Sequence, residues 1–328
     1  MDISAILVNR DKADLLRPAL ESMRIALAET RLETEIVVFD NASSDGSREL
    51  VRREFPEARL ICHDTNVGFS TAVNACVDRS SADWIVLLNN DATIEREALR
   101  RIFSRPVPPD VGAIAMQMRF AARPELVNSA GIGVDVLGVA YDRLVGEPVD
   151  GEAARPAEVF GACGGAAVYR RAMLDDIGGM DSDIFVYLED VDLAWRARMA
   201  GWRAVYVPDA VVWHHHSSTT GHGSDFKYFH VGRNRVRLLA RNAARGQLLR
   251  HGPAMLAYDL AYVSYVAVVD RSLAPLRGRI AGARDWRSLR KQGAPRRRPL
   301  ELERRRGMRA ALRRRRAWQV GGTPGAAA

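Results

Sequence analysis

The chain predicts an α/β fold, a mostly parallel sheet flanked by helices, followed by a basic C-terminal tail that is helical or disordered. Three observations carry that expectation. Apolar β-type runs alternate with segments of helical period over roughly the first 120 residues, the pattern of βαβ units. Those runs stop abruptly in Asn/Asp-rich turns, as strands do at the carboxyl edge of a parallel sheet. The 328 residues are 47% apolar and 27% charged, enough for one large core plus an appendage.

Taken in order, Ile3–Val8 (ISAILV) reads as a buried strand. Asp14–Glu29 carries Leu15, Leu16, Leu20, Met23 and Leu27 near helical period. Glu35–Asp40 (EIVVFD) is a second strand, and Ser44–Phe55 opens on residues that start helices. Arg59–Cys62 reads as a strand, Phe69–Val77 as a helix and Trp84–Leu88 as a fourth strand, with a helix from about Glu95. Val111–Met116 and Ala166–Tyr169 read as strands, and the Gly/Pro-rich stretch between them as loops. Glu189–Met199 and Phe226–Arg245 read as helices, and Ala204–Val207 as a strand.

Cys62, Cys76 and Cys163 are too few and too scattered for a disulfide framework or a zinc knuckle, which points to a reducing compartment. Met1 is followed at once by Asp2 and a short apolar run, so no secretory signal is expected. The net charge of +8 is unevenly spread. Residues 271–328 hold 18 Lys/Arg and 3 Asp/Glu, a surplus of +15, whereas the other 270 residues hold 30 and 37 and are mildly acidic. A catalytic domain over 1–250 and an apolar, Arg-rich segment over 251–328 follow from that division. The apolar run at 254–269 holds 16 residues including Asp259, short for a membrane crossing.

Five segments carry candidate chemistry. IVVFDNASSDGS ends a strand at Asp40 and turns through Asn41 and Asp45. A carboxylate there can accept hydrogen bonds from a nucleobase or ribose; a turn with a helix cap uses the same residues and is the stronger reading of this motif alone. NVGFSTAVN offers Gly68 for close backbone approach, with Asn66 and Asn74 to pin the loop, or else a plain helix start. VLLNNDAT ends an apolar strand at Asn89, Asn90 and Asp91. Asp91 is either a helix cap or a hard oxygen ligand for Mg²⁺ or Mn²⁺ carrying a diphosphate.

FVYLEDVDLAWRARMAGW crowds Glu189, Asp190 and Asp192 at a helix start. Acids favour that position electrostatically, but one of them can also serve as a general base on a hydroxyl. Tyr187, Trp195 and Trp202 add the expectation of a ligand-facing cleft. VVWHHHSSTTGHG runs a strand into His214, His215 and His216, whose neighbours must face opposite ways.

In this order and spacing, the five segments and the block GACGGAAVYRR resemble glycosyltransferase family 2, the inverting enzymes of GT-A fold with a Rossmann-like sheet. The rhamnosyltransferase-like and galactofuranosyltransferase-like bacterial members are the nearest in pattern. The resemblance covers roughly residues 1–245 and implies specific roles. Asp40 would contact the donor base, with Asn41 and Asp45 shaping its pocket. Asn66, Gly68, Asn74 and Asn90 would line the nucleotide-sugar site. Asp91 would be the metal-binding acid of the DxD-type motif, with Asn89 standing where the family has its first acid. Asp190 would be the catalytic base and His214 a further metal ligand. Gly164 and Gly165 would bring backbone close to donor or acceptor. The implied reaction moves a sugar from a nucleotide-diphosphate donor, dTDP-rhamnose ahead of UDP-galactofuranose and UDP-glucose, onto a glycan or lipid-linked glycan.

Other classes fit less well. A nucleotide-sugar pyrophosphorylase needs an N-terminal Gly-rich loop, and ISAILVNRDKAD has no glycine. A dinucleotide oxidoreductase needs G-x-G-x-x-G after the first strand, which is missing. The basic tail raises nucleic-acid binding, against which stand the acidic body and the lack of a recognisable binding module. The tail instead fits an anionic membrane surface, and the expected location is cytoplasmic, peripheral on the inner face of the cell membrane.

Overall fold

The computed structural model describes residues 1–215, 224–293, 297, 300, 302 and 303. The elements follow in chain order as β1 (Ile3–Asn9), α1 (Ala13–Ala28), β2 (Thr34–Asn41), α2 (Ser47–Glu54), β3 (Arg59–His63), α3 (Phe69–Val77), β4 (Trp84–Leu88), β5 (Ala92–Ile94) and α4 (Ala98–Phe103). Then come β6 (Val111–Phe120), β7 (Arg123–Ser129), β8 (Ile132–Val134), β9 (Ala140–Asp142), β10 (Ala157–Val159), β11 (Ala166–Arg170) and α5 (Arg171–Ile177). The chain continues through α6 (Glu189–Ala200), β12 (Arg203–His214), α7 (Asp225–Asn242), α8 (Arg245–Val269), α9 (Ala274–Arg284) and α10 (Trp286–Gln292).

The main sheet runs β10-β12-β6-β11-β4-β1-β2-β3. β4, β1, β2 and β3 are parallel, so their carboxyl ends share one edge. β11 is antiparallel to both β4 and β6 and joins this half to the rest. The inner strands β1 and β4 are almost wholly apolar and buried because helices cover both faces, whereas the edge strand β3 is largely exposed. Ile3, Ala5 and Leu7 of β1 pack with Leu16, Leu20 and Met23 of α1. Ile6 points the other way, among Val73 and Cys76 of α3 and Leu193 of α6. A third core joins α6, α7 and α8 through Trp195, Leu238, Leu239 and Met255.

Three expectations are corrected. The stretch between Val111–Met116 and Ala166–Tyr169 is not all loop: it holds β7, β8, β9 and β10. Three of these are three-residue strands, ordered by partners distant in sequence and too short to leave a period. Ala204–Val207 and the strand that runs into His214 are one twelve-residue strand, because a bulge between Val207 and Val211 carries it past Pro208. Trp195 does not face a ligand cleft; it is 1% exposed and packs edge-on against Phe160.

The 16-residue apolar run belongs to the 25-residue helix α8, long and apolar enough to cross a membrane by length and composition. The boundary expected at 250/251 falls inside that helix. Further on, Arg297 ion-pairs with Asp176 at 2.9 Å, and the Glu303 carbonyl accepts from Val136 N at 2.9 Å. These described residues of the basic segment therefore rest on the α/β body.

Candidate active site

The parallel strands deliver polar side chains to one edge. Asn9 ends β1, Asp40 and Asn41 end β2, and Asn89, Asn90 and Asp91 follow β4. The Asn90 amide donates to Asn9 Oδ1 at 2.7 Å, and Asn9 donates to Ser43 Oγ at 3.3 Å, lacing the three loops together. Asn9 had no motif to mark it; only the register of β1 against β2 puts it beside Asp40.

Asp40 is 1% exposed. Its Oδ1 accepts from Arg48 Nε at 2.6 Å and from Ser43 N at 3.2 Å, while Oδ2 is buried with no hydrogen-bond partner among the described residues. Arg48, on α2, is a site residue the sequence reading missed. Asn41 donates to Asn66 Oδ1 at 2.9 Å and accepts from Val67 N at 2.9 Å, and Asn66 in turn accepts from Gly68 N at 3.0 Å. Gly68 sits at φ +83°, and a Cβ there would lie 2.6 Å from the Phe185 carbonyl, so only glycine fits.

Asp45 and Asn74 both bond to backbone beside the strand edge. Asp45 accepts from Ala13 N at 2.8 Å and from Ser47, tying the β2–α2 loop to the start of α1. Burial would raise its carboxyl, but the Ser47 and Ala13 hydrogen bonds outweigh that and hold it below the ordinary value. The Asn74 side chain clasps the Met180 backbone, donating to its carbonyl at 2.8 Å and accepting from its amide at 3.0 Å.

His214 Nε2 lies 3.3 Å from Asp91 Oδ1, and its Nδ1 lies 3.1 Å from Asn128 Oδ1. In the tautomer that donates Nδ1–H to Asn128, the Nε2 lone pair faces a carboxylate oxygen, a contact that a cation relieves. Two ligands about 2.1 Å from one ion and near a right angle lie about 3 Å apart, so the pair fits a divalent ion. Among the described residues no group of three or more His, Cys, Asp and Glu converges, which suits an ion that takes its other ligands from a diphosphate. His215 turns aside to Thr93 Oγ1 at 2.9 Å, as strand alternation requires, and His216 lies outside the described residues.

The three acids at the start of α6 have separate fates. Asp192 is 1% exposed and bound by Arg196 Nε at 2.7 Å and Asn242 Nδ2 at 2.8 Å. Glu189 is buried, and burial with the neighbouring Asp190 charge pushes its carboxyl up to about 8. Asp190 is also raised by burial, but it accepts from Gly164 N and Val191 N, both at 2.8 Å, which favour its charged form. The two backbone amides favour the charged form of Asp190, whereas burial and the Asp190 charge favour the protonated form of Glu189. The Gly165 carbonyl accepts from Asn89 N at 2.9 Å, so the Gly164–Gly165 pair links the Asp91 loop directly to Asp190.

The turn before these acids is strained. Tyr187 and Leu188 both adopt φ +68°. Asn234, fully buried on α7, donates to the carbonyls of Val186 and Tyr187 at 2.9 and 2.8 Å. Asp142 completes the cluster: burial pushes its carboxyl up to about 6, Asp190 adds to the rise, and Ser129, Cys163 and His214 oppose it. It lies on β9, inside the stretch read as loop. Lys227 stands with its Nζ 5.5 Å from the Tyr187 ring centre.

Residues 4–178, more than half the chain, match the family described as Glycosyl transferase family 2. The chain is 30% identical over 237 residues to N-acetylglucosaminyl-diphospho-decaprenol L-rhamnosyltransferase of Mycobacterium tuberculosis, spanning 62% of this chain and 74% of that protein. It is 23% identical over 219 residues to poly-beta-1,6-N-acetyl-D-glucosamine synthase of Staphylococcus aureus, covering 64% of this chain and 49% of the relative. A mannosyltransferase from Pyrobaculum calidifontis, solved with GDP-Man and Mn²⁺, superposes with TM-score 0.51 at 20% identity over 86% of this chain and 74% of that one. Residues 1–349 of S. aureus TarS, solved with UDP, superpose with TM-score 0.51 at 15% identity over 89% and 91%. At these identities the structural likeness is one of fold, and the fold is GT-A. The chain belongs to glycosyltransferase family 2 and is a glycosyltransferase.

Proposed function

We propose that the enzyme transfers a sugar, rhamnose first among candidates, from a nucleotide-diphosphate donor to a hydroxyl of a glycan or lipid-linked glycan, with inversion. The observation that carries the chemistry is the pairing of Asp91 with His214 at the sheet edge, joined through Gly164 and Gly165 to Asp190. Asp91 and His214 would hold Mg²⁺ or Mn²⁺, which neutralises the diphosphate and makes it a better leaving group. Asp40, Arg48, Asn41, Asn66 and Gly68 would receive the nucleotide, and Asn90 would hold the floor between the two halves. Asp190 takes the acceptor hydroxyl proton as that oxygen attacks the anomeric carbon, and the bond to the diphosphate breaks on the opposite side. General-base help of this kind contributes about 10²–10⁴-fold.

Rhamnose and a lipid-linked acceptor rest on the mycobacterial relative, whose name states both. The test is transfer from a panel of dTDP-, UDP- and GDP-sugars to a diphosphate-linked lipid acceptor. dTDP-rhamnose is expected to give the highest turnover. Faster transfer from a UDP- or GDP-sugar would replace rhamnose but leave glycosyl transfer intact.

A further inference from the structure

Between Gly252 and Val269, helix α8 carries one charged residue, Asp259, and the fold turns it inward. Asp259 Oδ1 lies 2.7 Å from Arg235 Nε of α7 and 2.6 Å from Arg279 Nη2 of α9. The Tyr258 and Tyr262 rings lie 5.1 and 5.2 Å from the same two guanidinium groups. Met255 and Val266, at 4% and 1% exposure, complete that inward face.

The opposite face is different. Leu249, Leu256, Leu260 and Val268 are 84%, 61%, 58% and 78% exposed. At about 100° per residue they fall within about 120° of one another, with Val268 opposite Met255, Asp259 and Val266 and Leu256 at the border of the exposed face. Exposed Pro253, Ala257, Ala261 and Ser264 fill the intervals, so from Pro253 to Val268 the exposed face has no charge for roughly 22 Å of helix. A continuous apolar strip of that length marks a docking surface.

Charge identifies what docks. Exposed Arg245 and Arg250 precede this uncharged stretch, and exposed Arg271, Arg277, Arg284 and Arg287 follow it. A second copy would set the same cationic rim against itself. An anionic lipid surface accepts both parts, hydrocarbon taking the leucines and phosphates the guanidiniums. α8 is also tied sideways to α7 and α9 by Asp259, and crossing a bilayer would strip that acid from its arginines or bury all three charges in hydrocarbon. We propose that α8 lies in the plane of an anionic membrane, its outward stripe sunk into the headgroup boundary.

The test uses the full chain and an L256D/L260D variant, sedimented with phosphatidylcholine vesicles with and without phosphatidylglycerol, at low and high salt. Both substituted side chains are exposed, so the melting temperature should not change. Wild type should pellet with the anionic vesicles and stay partly bound in high salt. The variant should bind at least about tenfold more weakly and release in high salt, because only its electrostatic attachment remains. Equal partitioning of the two proteins overturns the proposal. A variant that changes from dimer to monomer without vesicles, while its vesicle binding is unchanged, also overturns it and makes the stripe a contact between copies. Glycosyl transfer is not read in this assay, so its outcome is independent of donor and acceptor.

Discussion

The Asn234 side-chain amide lies 2.8 Å from the Tyr187 carbonyl oxygen and 2.9 Å from that of Val186. These two hydrogen bonds brace a turn in which two consecutive non-glycine residues have φ +68°, each costing about 1–3 kcal/mol unless its surroundings enforce it. Asp190 follows three residues after Tyr187. Asn234→Ala should let the turn relax and lower kcat about 10–100-fold, the penalty of a displaced catalytic group. Donor affinity, measured by calorimetry, should stay near wild type, because the nucleotide loops are laced together without Asn234. An equal loss of both would mean general unfolding, which a melting curve would show.

Among the acids of α6, Asp190→Asn should be the crippling change, with kcat down by about 10²–10⁴-fold and donor binding kept. Glu189→Gln should be mild in turnover, since burial and the Asp190 charge favour the protonated form of Glu189, which glutamine mimics. Asp192→Asn should instead lower the melting temperature, by weakening the Arg196 and Asn242 contacts. A severe kcat defect in Glu189→Gln with a mild one in Asp190→Asn would transfer the base role.

Metal use is read by chelation and add-back. Turnover should vanish in chelator and return with Mg²⁺ or Mn²⁺, and Asp91→Ala should remain inactive at saturating metal. His214→Ala should raise the metal concentration needed. Asn128→Ala should raise it by about tenfold or more, the effect seen for outer partners that orient a metal-binding histidine. Full turnover in chelator would refute the metal reading.

Glu189 also makes a stability prediction. Its folded value of about 8 stands above the ordinary 4.5, so between those pH values the folded chain keeps a proton that the unfolded chain has released. The resulting stabilisation is complete below about pH 4.5 and is lost as pH rises through 8. Glu189→Gln removes this dependence. Its denaturant midpoint relative to wild type should therefore rise from pH 5 to pH 9, and a constant difference would place the buried proton elsewhere.

Local sequence determined much of this protein. The apolar runs of β1, β2 and β4 alternate with α1 and α2 because each buries both faces of a strand or one face of a helix, a pattern that needs no distant partner to be read. The turns after Asp40 and Leu88 were legible for the same reason: polar residues stop a buried strand. The Asp91–His214 pair came from motif order, and the structure brings its members, 123 positions apart in sequence, to 3.3 Å.

Tertiary structure alone decided the rest. β8, β9 and β10 are three residues each and exist through their pairing. Asn9, Arg48, Asn128 and Asn234 carry no signature, since an amide or guanidinium in a strand or helix becomes meaningful only when register or packing aims it at a loop. The three acids of α6 look alike in sequence; Asn242 and Arg196 bind one into the fold, and the Gly164 amide favours the charged form of another. Asp259 reads as an interruption of an apolar run, yet arginines from two other helices draw it inward and leave the outer face bare. Whether such a charge is exposed or neutralised depends on partners 20 and 24 residues away, which no local pattern specifies.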